Sequence, residues 1–476
     1  MEIDQAIDQF MRPISDTVSG FIFYSVSLMD VEVPLIVVWL ILGGVFFTLY
    51  LRFINFRGFT HAIALISGRY AKADDPGEIS QFQALTTAVS GTVGIGNIAG
   101  VAVAISLGGP GATFWLIIAG LLGMSTKFAE CTLGVMYRQT HSDGSVSGGP
   151  MYYLERGLAE RNLPKIGKAL GLFYAIAMVF GCLGIGNMFQ SNQAAAIFID
   201  VTGGSASYFA DKAWLFGVML AIAVAIVIVG GIRSIARTTA KLVPGMALLY
   251  VVTALIVLAM NYTELPGAFV AIWQGAFASE SIAGGMVGVM ILGFRRAVFS
   301  NEAGLGSAAI AHSTAMTARP VSEGYVALLE PFIDTVVICT ITALVIVTTV
   351  YDPALANQGI SGIEMTTKAF ASTLSWSPIP LSIAAILFAF STMIAWSYYG
   401  LKAFTYLVGR HRWADLGFKF FFLIFIVLGS SIQLSSLVDL SDALVFIVAI
   451  PNLLGLYLLA PLIRKELNRY ESDLPR

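Results

Sequence analysis

Charged residues are scarce in this chain of 476 residues. Asp, Glu, Lys and Arg make up 12% of it, apolar residues make up 57%, and the mean hydropathy is +0.81. A typical soluble domain carries about 25% charged residues. The composition therefore excludes an ordinary soluble protein and predicts a chain embedded in lipid. No polar linker separates the apolar stretches, which favours a single membrane-embedded body.

Residues typical of metal and catalytic centres are also few. The four histidines are scattered without the spacing of metal ligands. The three cysteines fall in apolar stretches, which argues against a disulfide framework or a zinc site; they are Cys131, Cys182 and Cys339. No nucleophile and base are placed at one depth, and no dinucleotide loop follows a strand. We therefore expect neither an enzyme nor a nucleic-acid partner, and we infer no obligate protein partner.

Eleven stretches are apolar and long enough to cross a bilayer, which takes about 20 mostly apolar residues. Two of them lie between 79 and 137, separated by the Gly- and Pro-rich turn at 108–111. A short surface helix is predicted at 363–373. The other nine stretches are 33–51, 169–199, 213–232, 242–263, 269–294, 326–350, 379–401, 420–438 and 443–463.

The basic residues are distributed unevenly between alternate loops. Of the 27 Lys and Arg residues, 22 fall on one side of the predicted membrane, three fall on the other side and two lie within spans. Lys and Arg favour the cytoplasmic side of a membrane. The split supports eleven crossings and predicts an N-terminus outside the cell and a C-terminus in the cytoplasm.

The second stretch contains three glycines within six residues, Gly91, Gly94 and Gly96. Each lowers helix stability by about 1 kcal/mol relative to alanine. An interrupted helix survives in hydrocarbon only where its freed backbone groups line a protein-enclosed cavity. Such groups can bind a carboxylate at the amides and a cation at the carbonyls. Close packing through small residues is the alternative, but Thr92 and Asn97 among the glycines favour a site.

A candidate counterpart lies in the seventh stretch, where Gly284 and Gly285 stand about 193 positions after Gly91. Paired interruptions at corresponding positions indicate a transporter site near the middle of the bilayer. Two blocks of five spans would then each begin with a broken helix. This arrangement fits a carrier better than a channel, which needs a continuous polar pore.

Two further polar groups lie in otherwise apolar helices. Gln190, near Asn192 and Gln193, could hydrogen-bond a bound amino acid, but bonds between helices explain such amides equally well. Ser391 and Thr392 place two hydroxyl oxygens side by side, and hard oxygen ligands suit a small cation. Serine and threonine bond the carbonyls of their own helix just as often.

A small group of ionisable residues lies inside the predicted spans. Lys127 and Glu130 can pair with each other, and Arg295 and Arg296 could meet the carboxylates of the eighth span. The segment 299–304 follows those arginines and belongs to the same group. We interpret the group as a structural or gating ion network, although a protonated carboxylate could couple protons instead of sodium. The carboxylates in question are Glu302, Glu330 and Asp334.

At these residues the chain resembles the sodium:alanine symporter family, also called the alanine or glycine:cation symporters. The resemblance runs from about residue 39 to residue 463. The most specific blocks are GTVGIGNIAG at 91–100, GGPMYYL at 148–154, a block that begins with GFRR at 293–306, EPFIDT at 330–335, and FST at 390–392 with WSYYG at 396–400.

The resemblance implies an all-α polytopic membrane protein of the leucine-transporter type, with two inverted repeats of five helices and one extra N-terminal helix. It implies sodium-coupled symport of alanine or glycine across a cell membrane by alternating access. A proton-coupled transporter of the same fold is the alternative. The implied divisions are an extracellular segment at 1–32, the extra helix and a cytoplasmic linker at 33–79, repeats at 80–263 and 264–463, and a cytoplasmic tail at 464–476.

The sequence at 94–97 is also similar to the Gly-x-Gly-Asn of the first core helix in sodium-coupled neurotransmitter-type transporters. That similarity implies that amides near Thr92, Gly94 and Gly96 hold the substrate carboxylate, with Asn97 close to the substrate or a second ion. Gln190 and the Gly284–Gly285 turn would complete the pocket. The implied sodium ligands are the carbonyls of Ser90 and Val93 and the hydroxyls of Ser391 and Thr392.

Overall fold

Long apolar helices make up most of the protein. The computed structural model describes residues 12–13, 16–28, 31–70, 72, 74–277, 285–351, 362–432 and 434–474. In the first half of the chain we number the helices α1 Leu35–Tyr50, α2 Ile54–Arg57, α3 Phe59–Ile66, α4 Gln81–Thr92, α5 Ala99–Gly108, α6 Ala112–Met136, α7 Pro150–Glu160, α8 Pro164–Leu183, α9 Phe189–Val201, α10 Ala213–Ile228 and α11 Gly231–Met260.

The second half continues this architecture. Its helices are α12 Leu265–Ala276, α13 Gly285–Asn301, α14 Ala308–His312, α15 Pro320–Ala327, α16 Leu329–Pro331, α17 Thr340–Thr349, α18 Ile363–Thr373, α19 Pro378–Val408, α20 Arg412–Ser431 and α21 Leu434–Ser472. Single turns of 3-10 helix lie at Ile95–Asn97, Gly204–Ala206 and Tyr262–Glu264, and π-helical turns join α8 to α9 at Gly184–Met188 and α16 to α17 at Phe332–Cys339.

Strands are confined to two small antiparallel hairpins among the described residues. Strand β1, Ser25–Leu28, pairs with β2, Val31–Pro34, immediately before α1. Strand β3, Gln139–Thr140, pairs with β4, Val146–Ser147, between α6 and α7. The two hairpins are short and the rest of the regular structure is helical, so the predicted all-α class is confirmed.

Seven helical stretches of the described chain are long and apolar enough to cross a membrane, and α4 with α5 makes an eighth if that bent pair is one span. Helices α1 and α10 are apolar but have 16 residues each. The polytopic membrane class is therefore confirmed, while the count of eleven spans stays a prediction. The seventh predicted stretch, 269–294, includes residues 278–284, which lie outside the described chain.

Lipid-facing and protein-facing surfaces are distinguished by burial. Large apolar side chains such as Ile226, Leu248 and Phe269 are more than half exposed on α10, α11 and α12. Helix α19 has an almost continuous buried run from Ser391 to Gly400 and lies at the centre of the bundle. Glycine allows close approach there, because a Cβ on Gly186 would overlap the side chain of Trp396.

Helix α18 is present at the bounds predicted for a short surface helix, and Glu364 and Lys368 are exposed on it. One of its faces is buried, including Met365, Thr366 and Phe370. The Thr366 hydroxyl donates a hydrogen bond to the carbonyl of Ile98 at 3.2 Å. Helix α18 therefore packs against the start of α5, next to the helix break.

We expect Gly111→Ala to lower the stability of the protein. A Cβ at Gly111 would overlap the backbone of Gly275 in α12, where two main chains meet and neither can rotate away. Overpacking of this kind costs about 1–3 kcal/mol. Thermal unfolding in detergent measures the effect. The matched control is Gly245→Ala, which has open space around the added methyl group and gains helix propensity. Equal midpoints for the two variants would contradict the packing described here.

Candidate functional site

Helix α4 ends at Thr92, and the next two residues are not helical. Val93 has ψ 88°, and Gly94 has φ −132° and ψ −162°. After the 3-10 turn at Ile95–Asn97, α5 continues at an angle of 59° to α4. Every residue from Ser90 to Asn97 is buried. The predicted interruption of the second span is therefore real, and its freed backbone groups face protein.

Two side-chain amide oxygens bind the backbone N–H groups freed at the break. The Gly94 N–H donates to Asn97 Oδ1 at 2.8 Å, and the Ile95 N–H donates to Gln190 Oε1 at 3.3 Å. Gln190 is held by a hydrogen bond from its Nε2 to the carbonyl of Ile185 at 3.1 Å, within the π-helical turn that precedes α9. The amide face of the break is thus lined by Asn97 and Gln190.

The other amides near Gln190 hold helices together. Asn187 Nδ2 donates to the carbonyl of Phe422 at 2.7 Å. Asn192 Nδ2 donates to the carbonyls of Gly429 and Ile432 at 3.1 and 2.6 Å. Both therefore tie their segment to α20. Among the residues of this cluster with described bonds, Gln190 is the one that turns toward the break.

The carbonyl face of the break meets the two hydroxyls predicted on α19. Thr392 Oγ1 lies 3.0 Å from the Ser90 carbonyl oxygen, and Ser391 Oγ lies 3.5 Å from the same atom. A Cβ on Gly94 would lie 2.7 Å from Thr392 Oγ1, so glycine is needed for this approach. The Ser391 hydroxyl also donates to Phe388 in its own helix at 2.9 Å. Three of the four predicted cation ligands therefore lie together: the Ser90 carbonyl and the hydroxyls of Ser391 and Thr392. The fourth, Val93, follows Ser90 three residues later in the chain.

The Thr92 hydroxyl does not take part in this grouping. It donates to the carbonyls of Ala88 and Val89 in its own helix, at 3.4 and 3.3 Å. Gly96 faces the opposite side, where a Cβ would lie 3.4 Å from the ring of Phe299. Phe299 in turn packs edge-on against Phe189, with ring centroids 5.5 Å apart. Two aromatic rings therefore bound the space beside the break.

Asp334, in the π-helical turn at Phe332–Cys339, binds directly to the broken helix. Asn97 Nδ2 donates to Asp334 Oδ1 at 2.6 Å, and the hydroxyls of Ser300 and Thr335 donate to Oδ2 at 2.8 and 2.7 Å. The carboxyl group is fully buried. All of its hydrogen-bond donors in the described chain are neutral.

The expectation that Arg295 and Arg296 meet the eighth-span carboxylates is wrong. Both arginines pair instead with Asp442 of α21, at 2.8 and 3.3 Å. Asp334 is therefore a residue of the break that the sequence analysis placed elsewhere. Its position inside an apolar span was a signal of function, but its partner Asn97 is 237 positions away and could not be read from the sequence.

A second interruption follows α13 and faces the first. The backbone is left-handed at Glu302, Gly304 and Gly306, with φ of 59°, 92° and 76°. The Trp396 indole Nε1 lies 3.0 Å from Glu302 Oε1 and 3.2 Å from the Gly91 carbonyl oxygen. One tryptophan on α19 therefore contacts both interruptions.

Only half of the predicted counterpart at 284–285 falls within the described residues. Gly284 is outside the described residues, and Gly285 is the first residue of α13, with φ 72°. Phe299, which borders Gly96, lies 14 positions further along the same helix, or about 21 Å at 1.5 Å per residue. The structure thus brings the segment 302–306 to the first interruption and leaves Gly285 at the far end of α13.

A buried ion network lies beside the second interruption, with pairs that differ from those expected. Lys127 pairs with Glu330 at 2.9 Å, and neither side chain is exposed. Glu130, the expected partner of Lys127, instead accepts hydrogen bonds from the Gly306 N–H at 3.0 Å and Asn452 Nδ2 at 2.8 Å. The sequence spacing could not decide between a partner on the same helix and one on a neighbouring helix.

His312 extends the ion network away from the break. Its Nδ1 lies 2.6 Å from Glu323 Oε1, and its Nε2 lies 3.7 Å from Glu330 Oε2. Gln81 Nε2 donates to the second oxygen of Glu323 at 3.0 Å. The network therefore reaches from the second interruption to the first residue of α4, the helix that carries the first interruption.

Comparison with known proteins assigns the chain to a family. The profile described as the sodium:alanine symporter family matches residues 18–475. The chain belongs to that family. The sodium/alanine symporter AgcS of Methanococcus maripaludis is 38% identical over 443 residues, which cover 92% of this chain and 94% of that protein. The probable sodium/glutamine symporter GlnT of Bacillus subtilis is 33% identical over 438 residues, covering 92% and 87%.

The fold of this family member is also found among solved structures. The crystal structure of MhsT in complex with L-phenylalanine matches with a TM-score of 0.56 and 15% identity, over 84% of this chain and 99% of that chain. At this identity the likeness concerns the fold alone. The leucine-transporter-type architecture is therefore confirmed, and the protein is a multi-pass membrane protein of a transporter family.

We expect Lys127→Met to destabilise the protein by about 3–5 kcal/mol, because removing one partner of a buried ion pair leaves the other charge uncompensated. Thermal unfolding in detergent measures the change. Adding Glu330→Gln to the same chain should restore part of the loss. The control is Lys368→Met, which breaks an exposed pair with Glu364 and should cost less than about 1 kcal/mol. A Lys127→Met variant as stable as this control would refute the pairing.

Proposed function

We propose that this protein is a sodium-coupled symporter of small neutral amino acids, alanine or glycine. The observation that carries the proposal is the meeting of the Ser90 carbonyl with the hydroxyls of Thr392 and Ser391 beside an interrupted helix. Carbonyl and hydroxyl oxygens are the hard ligands that suit a small alkali cation. The similarity to a protein named as a sodium/alanine symporter supports the same assignment.

The sodium ion would lie between α4 and α19. The carbonyls of Ser90 and Val93 and the hydroxyls of Ser391 and Thr392 would supply four oxygens. Asp334 adds a negative charge nearby, bound to the break through Asn97. That charge favours a cation at the break, and it equally favours the ammonium group of an amino acid.

The substrate carboxylate would lie on the amide face of the break. The N–H groups of Gly94 and Ile95 now donate to amide oxygens of Asn97 and Gln190. A carboxylate has two oxygens that could take those places, with Gly96 as a further donor. The displaced Gln190 could then bond the substrate itself, and Asn97 would stay close to the substrate or to a second ion.

The side chains next to the break support a small substrate side chain. The ring of Phe299 stands next to Gly96, and Phe189 packs against that ring. Gly94 has no room for a Cβ beside Thr392. A methyl group or a hydrogen atom on the substrate fits such walls better than a branched or aromatic side chain. The Gly284–Gly285 turn stays a sequence prediction, and the proposed pocket does not depend on it.

Alternating access would use the two facing interruptions. Trp396 contacts both, so movement of the α13–α14 segment relative to α4 would change its contacts with the break. Sodium and substrate drive such a change only if both bind the same state more tightly. We further propose that the protein lies in the cell membrane with its N-terminus outside and its C-terminus in the cytoplasm, as the distribution of basic residues predicts.

A proton-coupled transporter of the same fold is the second candidate, and an excess of buried carboxyl groups supports it. In the described chain, five buried carboxyl groups surround the ion network and the break, against two bases, Lys127 and His312. An uncompensated buried charge is costly, so protons or bound cations must neutralise part of the excess. The carboxyl groups are those of Glu130, Glu302, Glu323, Glu330 and Asp334.

We expect Thr392→Val and Ser391→Ala to raise the sodium concentration needed for half-maximal alanine uptake at least tenfold, a change of about 1.4 kcal/mol in cation binding. Uptake of labelled alanine into proteoliposomes under a sodium gradient measures this. The matched control is Ser382→Ala on the same helix, whose hydroxyl donates to Ile379. Uptake that is driven by a proton gradient without sodium would replace the sodium proposal with the proton-coupled one.

We expect Asp334→Asn to abolish uptake while the protein still folds, because the substitution removes the charge and keeps the shape of a group whose donors are neutral. The measurements are alanine uptake and, separately, thermal unfolding in detergent. Glu364→Gln on the exposed face of α18 controls for loss of a carboxylate. Normal uptake by folded Asp334→Asn would remove this residue from the site.

A further inference from the structure

A basic cavity lies between the end of α19 and the start of α20, apart from the break. Its volume is about 440 Å³. The chain turns there at Gly409, with φ 89°, and the β3–β4 hairpin closes one side through Asp143. The charged residues of its lining are Lys402, Arg410, Arg412, Asp143 and Asp415.

The charges of this cavity do not balance within the described chain. Asp143 pairs with Arg410 at 3.1 Å, and Asp415 pairs with Lys419 at 2.8 Å. Lys402 donates only to neutral oxygens among the described residues, the Val146 carbonyl at 2.7 Å and Ser147 Oγ at 3.1 Å. Arg412 is exposed and lines the same cavity. The Glu78 carboxylate accepts from the Val146 N–H at 2.6 Å and lies close enough to Lys402 to act on its charge. Arg412 has no acidic partner among the described residues, so the cavity keeps an excess of positive charge.

An apolar stripe on α20 begins one residue after Arg412 of the cavity lining. Trp413, next to Arg412, is 78% exposed, and Phe420 is 68% exposed on the same side of α20. Leu416 and Ile424 complete a series at intervals of three and four residues, which places all four side chains on one helix face. Because α20 is long and apolar enough to cross a membrane, this exposed face borders the acyl chains of the bilayer.

Together, the basic cavity and the apolar stripe match the charged headgroup and the apolar acyl chains of an anionic phospholipid. We propose that the cavity binds the phosphodiester headgroup of such a lipid, with Arg412 and Lys402 as its cationic partners and the acyl chains along Trp413 and Phe420. Basic pockets between membrane helices bind anionic headgroups in this way, and tryptophan favours the level of the headgroups. A free phosphate ion would use the two cations but would gain nothing from the stripe. The lipid is therefore the occupant that the two features together select.

Binding of a short-chain phosphatidylglycerol to the full-length protein in a neutral detergent tests the proposal. The increase in thermal midpoint with lipid concentration gives an apparent dissociation constant, because a ligand of the folded state stabilises it. We expect Arg412→Gln to weaken binding at least tenfold. Trp413→Ala should also weaken the lipid without changing any charge. The matched control, Arg161→Gln, removes an exposed arginine that lies outside the cavity, and it should bind like the unmodified protein.

Two further arms identify the source of the phosphate. Phosphatidylcholine with the same chains should bind at least tenfold more weakly than phosphatidylglycerol, because its headgroup has no net charge. Inorganic phosphate should not displace the lipid at millimolar concentration. Equal binding of the two lipids, equal effects of Arg412→Gln and Arg161→Gln, or displacement by inorganic phosphate would each overturn the proposal.

Discussion

The break between α4 and α5 leaves backbone amides and carbonyls without helical partners, inside a protein whose surroundings contain no water to replace them. In hydrocarbon each such group costs several kcal/mol unless another group satisfies it. The protein meets this constraint with side chains from the break itself and from distant helices. Asn97 and Gln190 accept from the amides of Gly94 and Ile95, while Thr392 and Trp396 donate to the carbonyls of Ser90 and Gly91. The helices that surround the break are arranged so that these groups can reach it.

The same constraint explains why the central helices are rich in glycine and irregular turns. Helix α19 approaches the break because Gly94 has no Cβ beside Thr392, and it passes the π-helical turn before α9 because Gly186 leaves room for Trp396. A π-helical turn is a local departure from the α-helix that often marks functional sites. Asp334 lies in such a turn, and Gln190 lies two residues after one. Irregular backbone is thus concentrated where buried polar groups must hydrogen-bond to one another.

The buried charges form a second layer around the break. Lys127, Glu330, His312 and Glu323 connect the second interruption with the start of α4. Such pairs contribute little net stability compared with apolar residues of the same size, but each depends strongly on its partner. A network of this kind suits a protein that exchanges one arrangement for another, because small movements of one helix change several charge pairs at once.

The sequence by itself determined the membrane class, most of the apolar helices and the position of the first interruption, because transfer to lipid and helix propensity depend on local composition. It also pointed to Gln190, Ser391 and Thr392, although each kept an alternative explanation as a helix contact. Tertiary structure alone decided which distant groups meet. It paired Asn97 with Asp334, Lys127 with Glu330 and Arg295 with Asp442, buried one face of α18 and brought the irregular segment 302–306 to the first interruption. These pairings connect residues up to a few hundred positions apart, and they follow from how whole helices pack against one another, which no local pattern of residues contains.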